Sequence, residues 1–270
     1  MKTCFVMILI FSLILNPFYI SQNTSKKGGL PVINLFKDDS PYKTMNLLDF
    51  KLGKGFLAYW HKFILRKNYI VSSEQNPEAF LIEDIEKEEI KQYFSSLRFK
   101  NNLTSEYKGN QLNILVFNSE YSKDVQGIKN ILDSLKIDIA IITEVDDLTK
   151  RSIEKGSLEE IAGNEFNFIY GPEFWEKDTK SGEGYTGNLI LSKLKLKNFG
   201  FKFLDNCFPW NDWVYEPRIG SRNFVYAEIS LKGKNVLLIS THLEDKCNDD
   251  SRIIQMQTIL PELQAGEVHH

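Results

Sequence analysis

The sequence predicts an α/β fold, and three observations support this prediction. A strand, an amphipathic helix and a second strand follow one another between residues 112 and 145. Two apolar strands flank a glycine-bearing turn at residues 232–234, and an amphipathic helical segment follows at residues 251–263. Apolar spacing of period 3.6 indicates helix, while short apolar runs bounded by turn residues indicate strands. This order of segments predicts a sheet covered by helices.

The strand–helix–strand segment predicts a parallel pair of strands. The segment LNILVFN is a short apolar strand that ends at Asn118, and DIAIITEV is a buried strand that ends at Glu144. The helix between them, VQGIKNILDSLKI, repeats apolar residues at helical spacing, namely Val125, Ile128, Ile131, Leu132 and Leu135. A βαβ unit of about 30 residues places its two strands side by side and parallel.

Four further strands follow along the chain. FNFIYG is a short strand, and KSGEGYTGNLILSKL is a glycine-bearing loop that presents Asn188 and leads into the strand Leu189–Leu191. NFVYAEISLKGKNVLLISTHLE contains two strands around the turn Lys232–Gly233–Lys234, which predicts a hairpin whose second strand ends at His242.

The composition fits a folded domain. The chain has 270 residues, of which 42% are hydrophobic and 13% aromatic, so one large domain with a sizeable core is expected. The formal net charge is −3, which excludes a global basic field of the kind that supports non-specific binding to nucleic acid. A local basic patch is compatible with this charge.

The first 20 residues predict an export signal or a membrane anchor. One lysine precedes an apolar run, and a polar segment follows, which is the layout of a secretory signal. The run is shorter than the roughly 20 residues of a full membrane span, so an uncleaved anchor and a buried helix are the alternatives. We therefore expect an exported protein that is secreted, periplasmic or membrane-anchored.

Residues 21–108 differ from the rest of the chain and predict a linker with a helical extension. The segment at residues 46–71 has aromatic residues at roughly helical spacing with basic residues between them, which is typical of an amphipathic helix packed on the domain. Its alternative role is contact with a membrane surface, through residues 1–70. LIEDIEKEEIKQYFSSLRF is a second helical pattern, acidic at its start and basic at its end. A third part, residues 109–270, contains the βαβ unit and the hairpin.

Cysteine usage leaves two alternatives open. Apart from Cys4, the chain has Cys207 and Cys247. These two residues pair in an oxidising compartment or remain free thiols, and two cysteines form no pattern that decides between the alternatives.

Several predicted strands end in a single polar residue. These residues are Asn118, Glu144 and His242, and the glycine-bearing loop adds Asn188. In α/β sheets the strand ends border the crevice in which ligands bind. A single polar residue at a strand end is usually a cap or a turn former, so the repetition is what indicates a site.

Four segments, in this order, resemble the endonuclease/exonuclease/phosphatase superfamily, whose members include deoxyribonuclease I-like enzymes. They are ILVFNSE, DIAIITEV, GYTGNLILSK and LLISTHLE, and EPRIGSRNFVYAEI resembles an arginine-bearing segment of bacterial members. Thr143 stands where the family usually has glutamine. The resemblance spans about residues 112–260 and implies a four-layer sandwich of two β-sheets flanked by helices.

The resemblance also implies a site for hydrolysis of phosphate esters with Mg²⁺ or Mn²⁺. Glu144 would be the metal ligand, with Asn118 as an amide ligand or orienting group. Asn188 would orient the phosphate or a partner side chain, and His242 would bind the phosphoryl oxygens, as imidazolium stabilising the developing charge. Arg218 or Arg222 would add a phosphate contact. The structural alternatives are a capping role for His242 and salt bridges for Glu144 and either arginine.

The family pattern continues beyond His242 with a glycine-aspartate-x-asparagine strand and a serine-aspartate-histidine segment, and neither is present. The resemblance therefore implies roughly the first half of the domain with an incomplete catalytic set. The explanations are truncation, an inactive relic, or completion by a second polypeptide. We expect such a half to supply mainly one sheet, to expose the apolar inner face of that sheet, and to be poorly soluble.

Two classes of function follow from the sequence. The first is a metal-dependent phosphoesterase that acts on a phosphodiester in nucleic acid or in a phospholipid head group, as sphingomyelinases do. The second is a catalytically inactive fragment or a non-enzymatic protein that binds a membrane or a partner. No specific protein partner is indicated.

Overall fold

The computed structural model describes residues 81–265 apart from 108, 110, 153–155, 178–182, 209 and 213–216, together with the backbone of residues 6–11, 18–23 and 32–33. The amphipathic segment at residues 46–71 lies outside this described part. Among the described residues, no helix is both long enough and apolar enough to cross a membrane.

The strands and helices are numbered in chain order. The strands are β1 Val6–Phe11, β2 Phe18–Asn23, β3 Val32–Ile33, β4 Arg98–Lys100, β5 Asn113–Asn118, β6 Ile139–Asp147, β7 Asn167–Glu176, β8 Gly184–Ser192, β9 Lys197–Phe203, β10 Arg218–Gly220, β11 Asn223–Leu231 and β12 Lys234–Thr241. The helices are α1 Glu88–Ser95, α2 Val125–Ser134, α3 Ser157–Ala162 and α4 Asp249–Ala265, with 3₁₀ turns at Ile82–Asp84 and Trp210–Asp212.

These strands form two sheets. The larger has the order β10-β7-β8-β6-β5-β2-β3, with β4 also paired to β7, and the smaller has the order β1-β12-β11-β9. Strands β5 and β6 pair in parallel, as the βαβ prediction required. Strands β11 and β12 form the predicted hairpin, in which Lys232 and Gly233 both have positive φ, as a two-residue turn of type I′ demands.

The two sheets pack face to face through an apolar core. Alternate residues of β5 and β6 point inward, so Ile114, Val116, Ile139 and Ile141 belong to this core. The smaller sheet contributes a matching set of buried side chains, which comprises Val225, Ala227, Ile229, Val236 and Leu238. The prediction that the chain supplies mainly one sheet with an exposed inner face is therefore wrong, because β9, β11 and β12 form the second sheet and bury that face.

Helices cover the outer faces of both sheets. The outward residues of the large sheet pack against Val125, Ile128 and Leu132 of α2 and Leu158 and Ile161 of α3. On the small sheet, outward residues such as Phe224 and Ile239 pack against Met256 and Ile259 of α4. Helix, sheet, sheet and helix make four layers, which confirms the predicted four-layer sandwich.

Residues 82–100 pack onto the large sheet. The single helix predicted over LIEDIEKEEIKQYFSSLRF is instead a 3₁₀ turn, the helix α1 and the strand β4. Ile90 and Phe94 of α1 are buried against Trp175 of β7 and Tyr185 of β8. Strand β4 pairs antiparallel with β7, because an extended backbone at a sheet edge satisfies its hydrogen bonds there.

Candidate active site

One small polar pocket lies beside the ends of the two sheets. It has a volume of about 90 Å³ and is lined by Tyr121, Glu144, Glu173, Thr186, Trp210, Arg218, Arg222, His242, Asp245 and Lys246. Four of the six residues predicted from the sequence are in this set, namely Glu144, Arg218, Arg222 and His242. Asn118 and Asn188 occupy positions in the strands around it.

A β-bulge in β6 carries Glu144. Ile142 pairs with Leu189 and Val145 pairs with Gly187, so Thr143 and Glu144 together face the single residue Asn188 of β8. Glu144 has a φ of 54°, and its carbonyl oxygen accepts a hydrogen bond of 2.8 Å from the hydroxyl of Ser119. Bulges and left-handed residues re-aim side chains at functional sites. The strand predicted to end at Glu144 continues to Asp147, and the bulge rather than a strand end presents the carboxylate.

Asn188 lies inside β8, not in the loop predicted to present it. Its side chain is fully buried, and Nδ2 donates to Glu173 Oε1 at 2.9 Å and to Asn223 Oδ1 at 2.9 Å. Its Oδ1 has no hydrogen-bond partner in the described part of the chain. Asn188 therefore links β7, β8 and β11 through its hydrogen bonds to Glu173 and Asn223.

Glu173 is a pocket residue that the sequence did not indicate. A second bulge, between Pro172 and Phe174 of β7, leaves Glu173 as the extra residue. Burial raises the pKa of Glu173 to about 7, although the Arg222 guanidinium and several hydrogen bonds oppose this rise. No sequence signal marks this carboxylate, because it interrupts a strand whose residues are buried on both faces.

Arg222 is the centre of a buried ionic network. Its Nη1 donates to Glu173 Oε2 at 3.1 Å, and its Nε donates to Glu244 Oε2 at 3.3 Å. Its Nη2 lies 3.7 Å from Asp245 Oδ1. The Nη1 atom also lies 3.1 Å from Nδ1 of His242. Arg222 therefore forms salt bridges within the protein, which was the structural alternative to a phosphate contact.

His242 directly follows β12 and is buried. Its Nδ1 lies 3.6 Å from Oε1 of Glu144, which is longer than a hydrogen bond. Burial lowers the pKa of His242 well below its usual value, and the nearby Arg222 and Arg218 lower this pKa further. Desolvation and the two guanidinium groups thus disfavour the imidazolium form that the resemblance implied for His242.

Arg218 is also engaged by protein groups. Its Nε lies 3.2 Å from Oε1 of Glu176, and its Nη2 donates to the hydroxyl of Tyr121 at 3.3 Å. The guanidinium stacks over the ring of Trp210, with 4.8 Å between its carbon and the ring centroid. The salt-bridge alternative thus holds for both arginines, which nevertheless place two positive charges at the pocket wall.

Lys246 is a pocket cation that the sequence reasoning passed over. Its side chain is 45% exposed, and its Nζ lies 3.8 Å from Oδ2 of Asp245. The buried arginines are 4% and 6% exposed. The position of Lys246, close after the segment THLE, could have indicated it, because the loop that follows His242 returns to the pocket.

Asn118 ends β5 beside Thr143 of the neighbouring strand. Its Oδ1 accepts a hydrogen bond of 2.9 Å from the backbone N–H of Glu120, and Glu120 begins a run of three residues with positive φ. Asn118 therefore stabilises a left-handed turn. This is the structural role that a polar residue at a strand end usually has. The turn brings Tyr121 to the pocket.

The oxygen atoms at the pocket fit magnesium better than a metal that requires many protein ligands. The described residues contain no cluster of three or more histidine, cysteine, aspartate or glutamate side chains that could hold an ion. Mg²⁺ often takes one or two carboxylates and keeps several waters. Glu144 supplies a carboxylate, and the buried hydroxyl oxygen of Thr186, which lines the same pocket, has no hydrogen-bond partner among the described residues.

A disulfide joins two loops at the pocket. Cys207 and Cys247 are bonded, with 6.2 Å between their Cα atoms, which decides between the two alternatives for these cysteines. Trp210 follows Cys207, and its indole N–H donates to Oε2 of Glu244 at 2.7 Å. The bond therefore holds the Trp210 segment against the loop that carries Asp245 and Lys246.

Comparisons with known proteins give partial structural likenesses. No family model and no curated protein matches the chain. An endonuclease/exonuclease/phosphatase family protein from Leptotrichia buccalis matches 56% of this chain and 62% of its own, at 15% identity and a TM-score of 0.39. Humanized D. rerio TDP2 with 14 mutations matches 57% of this chain and 56% of its own, at 18% identity and a TM-score of 0.36.

A third structure is that of D. rerio TDP2 complexed with single strand DNA product. It matches 57% of this chain and 54% of its own, at 17% identity and a TM-score of 0.37. The matched part is less than two thirds of each of these three proteins. The chain is thus similar to these three structures over somewhat more than half its length.

Proposed function

We propose that this chain is a divalent-metal-dependent phosphoesterase that hydrolyses a phosphodiester. The observation that carries the proposal is the pocket, which gathers Glu144, His242 and two arginines from separate segments. Hydrolysis of a phosphate ester requires positive charge at the phosphoryl oxygens and an activated water. The pocket volume of about 90 Å³ is far below the roughly 300–1,000 Å³ of sites that enclose drug-sized ligands, so it suits the phosphoryl group alone.

Each side chain has a role in this proposal. Glu144 would hold Mg²⁺ or Mn²⁺, with Asn118 as an orienting amide, and the bound ion would supply Lewis acidity and a more acidic water. Neutral His242 would donate an N–H to a phosphoryl oxygen. Arg218 and Arg222 would attract the anion by their charge, and Lys246 would contact it directly.

The substrate class is tested with three phosphodiesters in parallel. Bis(p-nitrophenyl) phosphate is a small probe, plasmid DNA represents nucleic acid, and sphingomyelin vesicles represent phospholipid head groups. We expect hydrolysis of at least one substrate with Mg²⁺ or Mn²⁺ and none with excess chelator. Sphingomyelin cleavage without DNA cleavage assigns the phospholipid option, and the reverse result assigns nucleic acid.

Glu144→Gln is the decisive variant. We expect a loss of at least about 100-fold in kcat, because the carboxylate charge that would hold the ion is removed while its size is kept. Glu86→Gln, at an exposed residue outside the pocket, is the matched control and should leave the rate unchanged. Equal rates for Glu144→Gln and the unmodified chain would reject the site.

Phosphate binding without hydrolysis is the second candidate function. The observation that favours it is the set of three cationic side chains at the pocket, Arg218, Arg222 and Lys246, which can attract a phosphate without any hydrolytic step. Titration of the pocket with inorganic phosphate and Mg²⁺, followed by ³¹P NMR, distinguishes the two functions. Saturable binding with no turnover of any substrate would support the phosphate-binding function.

We further propose that the protein is exported. The signal-like first 20 residues and the disulfide between Cys207 and Cys247 both support this proposal, because disulfides persist in oxidising compartments. Fractionation of cells that produce the full chain, followed by mass spectrometry of its N-terminus, is the test. Recovery in the cytoplasmic fraction with both cysteines reduced would contradict it.

A further inference from the structure

The guanidinium of Arg222 is engaged by protein groups. Each of its three nitrogen atoms has a carboxylate partner, namely Glu173 for Nη1, Glu244 for Nε and Asp245 for Nη2. The side chain is only 6% exposed. An arginine bound in this way is poorly placed to move toward a substrate, so its contact with the His242 ring at hydrogen-bond distance indicates what it does at the pocket.

That contact specifies which ring nitrogen carries hydrogen. The guanidinium has five N–H donors and no acceptor, and it stays protonated at any pH at which the protein is folded. Nη1 of Arg222 lies 3.1 Å from Nδ1 of His242, so Nδ1 must be the acceptor. A neutral imidazole whose Nδ1 is an acceptor carries its hydrogen on Nε2.

We propose that Arg222 is a positioning residue, which holds His242 in the tautomer with hydrogen on Nε2 and so presents an N–H donor to the phosphoryl group. This inference deepens the proposed function and rests on it for the identity of the acceptor. It also replaces the earlier expectation that Arg222 binds the substrate.

Glu144 does not compete for this ring nitrogen. Its Oε1 lies 3.6 Å from Nδ1, beyond hydrogen-bond range, whereas Arg222 is within range. A hydrogen on Nδ1 would also point against a hydrogen of the guanidinium. The carboxylate of Glu144 therefore remains available for another ligand, such as the proposed metal ion.

The orientation of Arg222 is itself determined by buried groups. Oε1 of Glu173 accepts from the side chain of Asn188 at 2.9 Å and from the backbone N–H of Asn223 at 3.3 Å, which leaves Oε2 for Arg222. Glu244 accepts from the indole of Trp210 through Oε2 and from the backbone N–H of Lys246 through Oε1. The position of the His242 ring thus depends on β7, β8, β11 and the disulfide-linked loops.

The test is the protonation pattern of the His242 ring, read from two-bond ¹H–¹⁵N NMR correlations of the full chain. His242→Gln assigns the signals. We expect one unprotonated and one protonated nitrogen, identified as Nδ1 and Nε2 by the correlation pattern. In Arg222→Met the two nitrogens should approach averaged shifts, because both tautomers become populated. Arg98→Met, at a half-buried arginine outside the pocket, should leave the spectrum unchanged.

Two results would overturn the proposal: hydrogen on Nδ1 in the unmodified chain, or an unchanged ring spectrum in a folded Arg222→Met protein. If Arg222→Met does not fold, Glu173→Met/Arg222→Met removes one buried charge of each sign and serves instead. This spectral readout requires no catalytic activity, so its failure is distinct from failure of the proposed phosphoesterase function.

Kinetics give a second readout if the chain hydrolyses bis(p-nitrophenyl) phosphate. A positioning role predicts that Arg222→Met lowers kcat by about 10- to 100-fold with little change in KM, and that Arg222→Lys recovers part of the loss. A raised KM at unchanged kcat would assign Arg222 to substrate binding and contradict the proposal.

Discussion

The Nδ1 atom of His242 lies 3.6 Å from Oε1 of Glu144, although different sheets carry the two residues to this point. Glu144 sits on a bulge of the large sheet, and His242 follows the last strand of the small sheet. The hydroxyl of Ser240 reaches the carbonyl oxygen of Ile142 at 3.4 Å, so the two strands are in contact just before these residues. The candidate site is therefore a product of the packing between sheets.

The proximity of Glu144 and His242 predicts non-additive effects on catalysis. Two groups that act on the same phosphoryl group lose most of their joint effect when either is removed. We expect Glu144→Gln/His242→Gln to be less than about 10-fold slower in kcat/KM than the slower single variant. Steady-state kinetics of the four proteins measure this cycle. If the loss of kcat/KM in the double variant equals the product of the two single losses, the two residues act independently.

Lys246 predicts a substrate contact that the buried arginines cannot provide. Its side chain is 45% exposed, and its carboxylate neighbour Asp245 lies 3.8 Å away, so the ammonium group can turn toward an anion. We expect Lys246→Ala to raise KM by about 10-fold with little change in kcat. Lys232→Ala, in the turn of the β11–β12 hairpin, is the matched control. An unchanged KM for Lys246→Ala would exclude this contact.

Glu173 predicts a pH-dependent term in stability. Its pKa rises from 4.5 to about 7 on burial, so the folded protein retains a proton that the unfolded chain has lost in this window. Stability should therefore fall as pH rises from about 4.5 to about 7 and stay lower above that range. We expect the free energy of unfolding of the unmodified chain to fall by up to about 3 kcal/mol across this pH range, relative to that of Glu173→Gln.

Urea unfolding of both proteins across this pH range measures the difference. Other buried carboxyl groups, such as Asp147 and Glu176, are present in both proteins, so the comparison isolates Glu173. A constant difference between the two unfolding free energies at all pH values would contradict the raised pKa of Glu173.

The structure has no room for a side chain at Gly187, the residue before Asn188. A Cβ atom at this position would lie 2.1 Å from the backbone oxygen of Gly171 and 2.9 Å from Cα of Pro172. Backbone atoms of a paired strand cannot withdraw cheaply, so Gly187→Ala should destabilise the fold by about 3 kcal/mol and displace Asn188. The control is Gly233→Ala, where space is open and only the φ of 76° is unfavourable, at a cost of about 1 kcal/mol. Similar unfolding midpoints for the two variants would refute the clash.

The disulfide predicts a coupling between redox state and the pocket. It closes a loop with a sequence separation of 40 residues, and removal of such a bond typically costs about 2–4 kcal/mol. We expect Cys207→Ala/Cys247→Ala to lose about this much stability and to raise KM, because Trp210 and Lys246 lose their relative positions. Dithiothreitol should reproduce both effects in the unmodified chain and have none on the double variant. Reductant effects of equal size in both proteins would disprove the coupling.

The sequence predicted the local elements well because their signals are short-range. The strands around Asn118 and before His242, the helix α2 and the hairpin turn all appear where the apolar spacing and the turn glycine indicated. The parallel pairing of β5 and β6 followed from the length of their connection. The pocket residues Glu144, His242, Arg218 and Arg222 were found through strand ends and the family resemblance.

What the sequence alone determined is therefore the order of the elements and four of the polar residues at the site, namely Glu144, Arg218, Arg222 and His242. Only the tertiary structure decided that the second sheet covers the first, that Glu173 enters the pocket, and that Arg222 contacts the ring of His242. The physical reason is that bulges, buried charge pairs and contacts between sheets depend on residues far apart in the chain. Their energies appear only when packing removes those groups from water.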